Sequence, residues 1–199
     1  TSNGSSGCVT PEYPLLKKSS IGSLFRLLPP HLLSEMREGP DFASCEGGGA
    51  PVRTYHALPS SDTPAGVIVF LHGMGMHAMS ERYTSMIDQW TSHGFAVVAW
   101  DCPHHGRSSR IGERGHALSP LRVSEPELVA DAISLVGVAR RAHPHSPLLL
   151  AGESLGGGLA LRLAPLVHPA AVCTIGGLVP TRATRARFAA VGAMLGGAR

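Results

Sequence analysis

The sequence predicts an α/β fold with a mostly parallel sheet and flanking helices. From Pro51 onward, short apolar runs alternate with longer segments of helical periodicity, as in strands that are joined by crossover helices. The 199 residues are 43% hydrophobic, which is enough for one sizeable core. We therefore expect one domain over residues 50–199. Residues 1–49 contain stretches rich in Ser, Gly and Pro, and we expect a poorly ordered extension there.

Three strands and one helix are predicted in the first half of the domain. The segment "VRTYHAL" alternates as an edge strand does, and "VIVFLHG" at 67–73 is apolar and β-branched, as a buried strand is. The segment "RYTSMIDQWTSHG" predicts a helix that Gly94 closes. The segment "FAVVAWD" at 95–101 predicts the next buried strand.

The same alternation continues in the second half. Ser124 and Glu127 form a capping box at the start of a helix that Pro144 ends. The segment "SPLLLAG" predicts a strand, Ser154 opens the following helix, and "PAAVCTIGG" predicts one more strand.

Composition and charge exclude several classes of function. The net charge of +3, from 17 basic and 14 acidic residues, is too small to indicate a nucleic-acid partner. Cys8, Cys45, Cys102 and Cys173 lie far apart and predict neither a disulfide framework nor a zinc site, and we expect no metal and no other cofactor. No run approaches the roughly 20 apolar residues that span a bilayer, and no signal segment is visible, so we expect a cytoplasmic protein.

One apolar patch in the extension, "IGSLFRLLPPHLLSEM", has leucines at helix-compatible spacing around Pro29 and Pro30. Two interpretations stay open. The patch packs on the domain, which we expect, or it brings the protein to a membrane surface as a peripheral contact.

The most informative motif is Gly152-Glu153-Ser154-Leu155-Gly156. It lies where a predicted strand gives way to a helix, and serine hydrolases display their nucleophile in this way. A serine on such a tight turn has a strained backbone, and the two glycines leave space for neighbouring segments. Ser154 then lies at the positive end of a helix dipole, where the Leu155 N–H can face a developing oxyanion. An ordinary glycine-rich turn at a helix start is the simpler alternative, and the flanking strand and helix argue against it.

A second motif, "LHGMGMH", follows the earlier buried strand. Serine hydrolases of this class take their other oxyanion N–H from this position, which makes the Met74 amide the candidate. Gly73 and Gly75 allow the loop to fold closely over the site. His72 and His77 are candidate bases, although histidines in such loops more often fix the loop by hydrogen bonding.

A third motif, "DCPHHGRSS", begins with Asp101 at the end of the following strand. Together, "HGMG", a strand that ends in Asp and is followed by "HGRS", and "GESLGGGLAL" resemble the α/β-hydrolase fold in their order and spacing. They are most similar to its monoacylglycerol lipase and lysophospholipase branch, which is also labelled a serine aminopeptidase-type hydrolase domain. The resemblance covers about residues 50–185. His104 stands where this family usually has glycine, and we expect this to alter only the shape of the loop.

The resemblance implies an activity and the residues that carry it. Ser154 would be the acyl-accepting nucleophile, and the amides of Met74 and Leu155 would stabilise the oxyanion. The implied substrate is a small-molecule carboxylic ester with a lipid-like acyl chain. An aminopeptidase of the same fold is an alternative, because nothing in the sequence decides between ester and amide.

The sequence departs from this family after the serine. In α/β-hydrolases an Asp or Glu and then a His follow the nucleophile. No acid follows Ser154 here, and the only histidine, His168, comes 14 residues later, about 20 Å away along the predicted helix. We therefore expect this chain to be the N-terminal portion of a hydrolase, inactive as it stands, with the start of a cap at 181–199.

Two other interpretations of the missing partners stay open. The chain could be a non-catalytic binding module that keeps the fold. Alternatively, Asp101 with His104 or His105 could replace the missing pair, because all three lie at the edge of the sheet where ligands bind. We give this pairing little weight, since the family keeps the same loop motif beside an intact triad.

Overall fold

The computed structural model describes residues 36–45, 51–108 and 125–177, which all belong to one compact unit. The described helices are α1 (Glu81–Ser92), α2 (Glu125–Ala142) and α3 (Leu155–Val167). The described strands are β1 (Arg37–Glu38), β2 (Phe42–Ala43), β3 (Pro51–Val52), β4 (Thr54–Ala57), β5 (Gly66–Leu71), β6 (Phe95–Trp100), β7 (Leu148–Glu153) and β8 (Ala171–Ile175). A 3₁₀ turn at Gly106–Ser108 follows β6.

Six of these strands form one sheet in the order β1-β4-β6-β5-β7-β8, while β2 and β3 form a separate antiparallel pair. Strands β6, β5, β7 and β8 run parallel to one another, and β4 and β1 are antiparallel additions. This architecture confirms the predicted mostly parallel sheet with flanking helices. The predicted edge strand at 52–58 needs a correction: its main part, β4, lies between β1 and β6.

Strand pairing begins before the predicted domain boundary at residue 50. The Gly39 N–H donates to the carbonyl of Thr54 at 2.8 Å, so that β1 extends the sheet beside β4. Further along, Ser44 Oγ donates to the buried carboxylate of Asp131 on α2 at 2.6 Å. These long-range bonds hold residues 36–45, which the sequence assigned to a poorly ordered extension. The remaining predictions for 1–35, 46–50, Ser124 and the cap at 181–199 lie outside the described residues.

The two faces of the sheet carry separate clusters of buried side chains. Along β5, Val67, Val69 and Leu71 pack on one side with residues of α2 and α3, whereas Ile68 and Phe70 pack on the other with residues of α1. A parallel strand covered on both faces needs apolar residues at every position, and "VIVFL" supplies them. In the part of the chain that the structure describes, no helix is long and apolar enough to cross a membrane.

Candidate active site

The three sequence motifs meet at one edge of the sheet. In the register of the parallel strands, Leu71 lies opposite Gly152 and Phe70 lies opposite Ala99. The loops that follow β5, β6 and β7 therefore leave the sheet at the same carboxyl edge. Ligands of open α/β sheets bind outside this edge.

Ser154 occupies the turn between β7 and α3, with φ +50° and ψ −110°. Few residues other than glycine adopt positive φ, and such strained positions cluster at functional sites. The turn is held on both sides, because the Ser154 N–H donates to the Ile175 carbonyl at 2.9 Å and the Ser154 carbonyl accepts from the Gly158 N–H at 3.0 Å. The predicted strand-to-helix turn is thus present, with its serine in a strained backbone conformation.

Both glycines of the motif are required by close approach of backbone segments. A methyl group at Gly156 would collide with the Leu71 carbonyl, because the first turn of α3 crosses the end of β5. A methyl group at Gly152 would collide with the backbone of Gly156. Gly157, which the sequence motifs do not single out, is similarly restricted, because a β-carbon there would lie 2.8 Å from the Cα of Gly177.

The loop after β5 is a tight turn beside Glu153, the residue that precedes Ser154. The Met76 N–H donates to the Gly73 carbonyl at 3.2 Å, and Gly75 at the third position has φ +74°, as a type II turn requires. Met74 is the second residue of this turn. Neither its amide nor that of Leu155 donates a hydrogen bond to another residue in the described ranges. Their role as oxyanion donors stays a prediction, and no bond within the described ranges stands against it.

A hydrogen-bonded chain that the sequence analysis missed connects this loop to the serine turn. The Gly73 N–H donates to the Tyr83 hydroxyl at 3.1 Å, and this hydroxyl donates to Oε2 of Glu153. The other carboxylate oxygen of Glu153 pairs with Arg82. The available signal was Glu153 itself, because an acidic side chain beside a buried strand end needs a partner.

The protonation of Tyr83 suits this arrangement. Burial, followed by the hydrogen bond to Glu153, raises the pKa of Tyr83 to about 12. The hydroxyl therefore keeps its proton at neutral pH and remains a donor to the Glu153 carboxylate.

His72 joins the loops after β5 and β6. Its Nδ1 lies 2.8 Å from the Gly73 carbonyl oxygen, and its Nε2 accepts the Cys102 N–H at 2.9 Å. Because a carbonyl only accepts and an amide only donates, the ring is the neutral tautomer with its proton on Nδ1. Burial lowers the pKa of His72 to about 4. His72 fixes the loop, as expected, and both of its ring nitrogens are occupied. His77 is exposed, and its backbone bonds to Ser80 before α1.

Asp101 organises the loop after β6. Its Oδ2 accepts from the Tyr55 hydroxyl at 2.9 Å and from the Arg107 N–H at 2.8 Å, while Oδ1 accepts from the Ala78 N–H at 2.8 Å. The side chain is fully buried. Three donors therefore stabilise its negative charge within the loop.

The neighbouring histidines have different environments. His105 is buried, its Nδ1 donates to the Pro103 carbonyl at 3.0 Å, and its Nε2 has no partner among the described residues. Burial lowers the pKa of His105. His104 has φ +62°, a conformation that favours glycine, which gives a physical reason for the glycine found here in the family. His168 caps the opposite end of α3 from Ser154.

The structure thus brings the serine turn, the 73–76 loop and the Asp101 loop to one edge. It does not bring a base to the serine: in the described ranges, no histidine hydrogen-bonds to the Ser154 side chain. Residues 36–45, 51–108 and 125–177 also contain no group of three His, Cys, Asp or Glu side chains arranged to hold a metal ion.

Comparison with known proteins places this arrangement in a family. The model of the family described as serine aminopeptidase, S33 matches residues 62–188. A monoacylglycerol lipase of Mycolicibacterium smegmatis is 36% identical over 129 residues, which cover 64% of this chain and 41% of the lipase. Phospholipase YtpA of Bacillus subtilis is 33% identical over 101 residues, which cover 51% of this chain and 35% of the phospholipase.

Among solved structures, a thermostable carboxyl esterase from Bacillus coagulans superposes with a TM-score of 0.60 at 23% identity, covering 81% of this chain and 51% of the esterase. This likeness supports the fold alone. The chain spans less than half the length of the two relatives matched by sequence. The family model covers well over half of the chain and includes all three motifs. The chain therefore has the α/β-hydrolase fold and belongs to the serine aminopeptidase S33 family.

Proposed function

We propose that Ser154 is the nucleophile of a carboxylic ester hydrolase. The observation that carries this proposal is the strained backbone of Ser154, φ +50°, on a turn between a parallel strand and a helix. In the proposed reaction Ser154 Oγ loses its proton to a base and attacks the carbonyl carbon of the ester. The alcohol leaves with a proton, and water then hydrolyses the acyl-serine to release the acid.

The two amides proposed for the oxyanion hole come from segments that touch each other. A β-carbon at Gly73 would lie 3.6 Å from the Glu153 carbonyl oxygen, so the loop of Met74 passes directly beside the residue that precedes Ser154. Leu155 follows Ser154 at the start of α3, where N–H groups have no partner within the helix. Donors from two adjoining segments can stabilise the charge of a tetrahedral intermediate.

We propose a monoacylglycerol- or lysophospholipid-type ester as the substrate. The names of the two relatives, a monoacylglycerol lipase and a phospholipase, support this class. A peripheral contact with a membrane would suit such a substrate. No nucleic acid and no cofactor take part in the proposed reaction.

Two observations favour other functions. The family description, serine aminopeptidase, favours cleavage of an amide at a peptide N-terminus. The lack of a hydrogen bond from any histidine of the described ranges to the Ser154 side chain favours a non-catalytic module.

The test uses the protein that the complete transcript encodes. Hydrolysis is measured with a monoacylglycerol, a lysophospholipid and an aminoacyl arylamide. We expect ester hydrolysis that the substitution Ser154→Ala lowers by about 10³-fold or more. The matched control is Ser92→Ala, which removes an exposed hydroxyl at the end of α1 and leaves activity unchanged.

Each alternative has its own result in this test. Cleavage of the arylamide in place of the esters would indicate the aminopeptidase. No hydrolysis of any of the three would indicate the module. Ester hydrolysis that survives Ser154→Ala would overturn the assignment of the nucleophile.

A further inference from the structure

We propose that Tyr83 is a positioning residue that fixes the two halves of the oxyanion hole relative to each other. It acts through Gly73 on one side and Glu153 on the other. This inference rests on the proposed function, because the spacing of the two amides matters only if Ser154 attacks a carbonyl carbon.

The first half of the connection is the loop after β5. The Gly73 N–H donates to the Tyr83 hydroxyl at 3.1 Å. Met74, the candidate oxyanion donor, follows Gly73 directly, so this bond fixes the peptide unit before the Met74 amide. The turn is closed on its other side by the bond from Met76 to Gly73. The position of the Met74 amide therefore depends on the Tyr83 hydroxyl.

The second half is the serine turn. Having accepted one hydrogen bond, the Tyr83 hydroxyl has one proton to donate, and it donates this proton to Oε2 of Glu153. Glu153 directly precedes Ser154. Its second oxygen pairs with Arg82, whose side chain is largely exposed, so the ion pair orients the carboxylate more than it stabilises the fold.

The sheet holds the Tyr83 ring in place. The ring is 2% exposed and packs edge to face against Phe70 of β5, with 4.8 Å between ring centroids. Arg82 and Tyr83 both lie in the first turn of α1. The start of α1 therefore supplies both the Tyr83 hydroxyl, which bonds the two segments, and Arg82, which orients the Glu153 carboxylate. If the loop after β5 or the serine turn shifted alone, the Tyr83 hydroxyl would lose one of its two hydrogen bonds.

The test is the substitution Tyr83→Phe, which keeps the ring against Phe70 and removes only the hydroxyl. In protein from the complete transcript we expect kcat for ester hydrolysis to fall about ten- to a hundredfold, because misplaced donors stabilise the transition state less well. KM should change less than about threefold. Exchange of the Gly73 and Met74 amide hydrogens should accelerate in the same variant.

Tyr55→Phe is the matched control. Tyr55 is equally buried and its hydroxyl also donates to a carboxylate at this edge, that of Asp101, but it makes no hydrogen bond to Gly73 or Glu153. We expect it to lower the melting temperature while kcat stays within about threefold of wild type. A rate loss in both variants alike would mean that any lost buried hydroxyl slows the enzyme, and would overturn the positioning role.

A second pair of variants decides the question if Tyr83→Phe does not fold. Glu153→Gln keeps an oxygen that can accept from Tyr83, whereas Glu153→Leu does not. We expect the glutamine variant to keep most of kcat and the leucine variant to lose about as much as Tyr83→Phe. Equal rates in the two Glu153 variants would overturn the proposal.

The outcomes separate this inference from the proposed function. If Ser154→Ala abolishes hydrolysis while Tyr83→Phe keeps the wild-type kcat, the positioning role alone is wrong. If hydrolysis is missing, or does not depend on Ser154, the proposed function is wrong and the positioning role falls with it.

Discussion

Three described residues other than glycine have positive φ, namely His104, Ser154 and His168. His168 has φ +46° and ψ +64°, the left-handed conformation in which many helices end. Ser154, with ψ −110°, lies outside that region, and such a conformation costs on the order of 1–3 kcal/mol. It persists because the Ile175 carbonyl and the first turn of α3 hold the backbone on both sides.

His72 shows how a buried histidine makes stability depend on pH. Its folded pKa is about 4, whereas the ordinary value is 6.5, so between these values the unfolded chain binds more protons. Stability is therefore full above pH 6.5 and decreases as the pH falls towards 4. We expect the His72 contribution to the free energy of unfolding to drop by about 2 kcal/mol between pH 7 and pH 5. Urea unfolding at both pH values measures it.

A variant and a control isolate this effect. Burial lowers the pKa of His56, His105 and His143 as well, so the total slope contains their contributions. His72→Gln does not titrate, and its amide oxygen can accept the Cys102 N–H, so its loss of stability on acidification should be smaller. The exposed Ser92→Ala, which removes no titratable group, should keep the wild-type slope. Equal slopes for all three proteins would contradict the prediction.

At the scale of elements, the loops after β5 and β6 are joined to each other and to β4. Asp101 receives bonds from Tyr55 on β4, from Ala78 in the loop before α1, and from Arg107 in its own loop. His72 adds the bond to Cys102. These polar bonds join the two loops to each other and to β4.

The substitution Asp101→Asn tests how much the hydrogen bonds to Asp101 stabilise the fold. The amide side chain has nearly the same shape, but one of its ends becomes a donor that faces an N–H or O–H donor. At least one buried group then loses its partner, and we expect the free energy of unfolding to fall by about 2–3 kcal/mol. Urea denaturation measures it. Asp41→Asn, at an exposed ion pair with Arg53, should change stability by less than about 0.5 kcal/mol. A similar loss of unfolding free energy in the two variants would show that the bonds to Asp101 do not stabilise these loops.

The elements that the sequence predicted well are those with a long local pattern. The apolar run of β5 and the helical period of α1 can each be recognised within about a dozen residues. Both elements lie where the sequence predicts them. Strands β1 and β2 have two residues each, and such short strands have no period to detect. They form because strands farther along the chain supply their partners, β4 for β1 and β3 for β2. Because β1 could not be predicted, β4 was expected to be an edge strand.

At the scale of the whole molecule, the candidate site also has parts that a local pattern predicts and parts that depend on residues far apart in the chain. Ser154 and its glycines could be predicted because the constraint is local, a strand, a tight turn and a helix in sequence. The connection from Gly73 through Tyr83 to Glu153 spans 80 residues of chain, and in the sequence Tyr83 is one more apolar position of a helix. His72 lay between these cases. Its role in fixing the loop was expected from its type of loop, but its partner Cys102 was not.

The 199-residue chain taken alone gives the last prediction. In the loops at this edge of the sheet, His72 uses both ring nitrogens, and Nε2 of His105 is buried. His168 lies at the far end of α3, about 20 Å of helical rise away. An unassisted hydroxyl is a weak nucleophile, so we expect Ser154 to react slowly with a fluorophosphonate probe. Any ester hydrolysis should be at most the rate gain of about 10³ to 10⁴-fold over water that binding and an oxyanion hole provide.

The measurement compares labelling of this chain, its Ser154→Ala variant and the protein from the complete transcript. Labelling that is strong only in the protein from the complete transcript would mean that residues beyond Arg199 activate Ser154. Strong Ser154-dependent labelling of the 199-residue chain would contradict the prediction and show that a base lies within it. His105→Gln would then be the first variant to test, because Nε2 of His105 has no hydrogen-bond partner among the described residues. His104→Gln would follow, since His104 is the neighbouring histidine of the same loop.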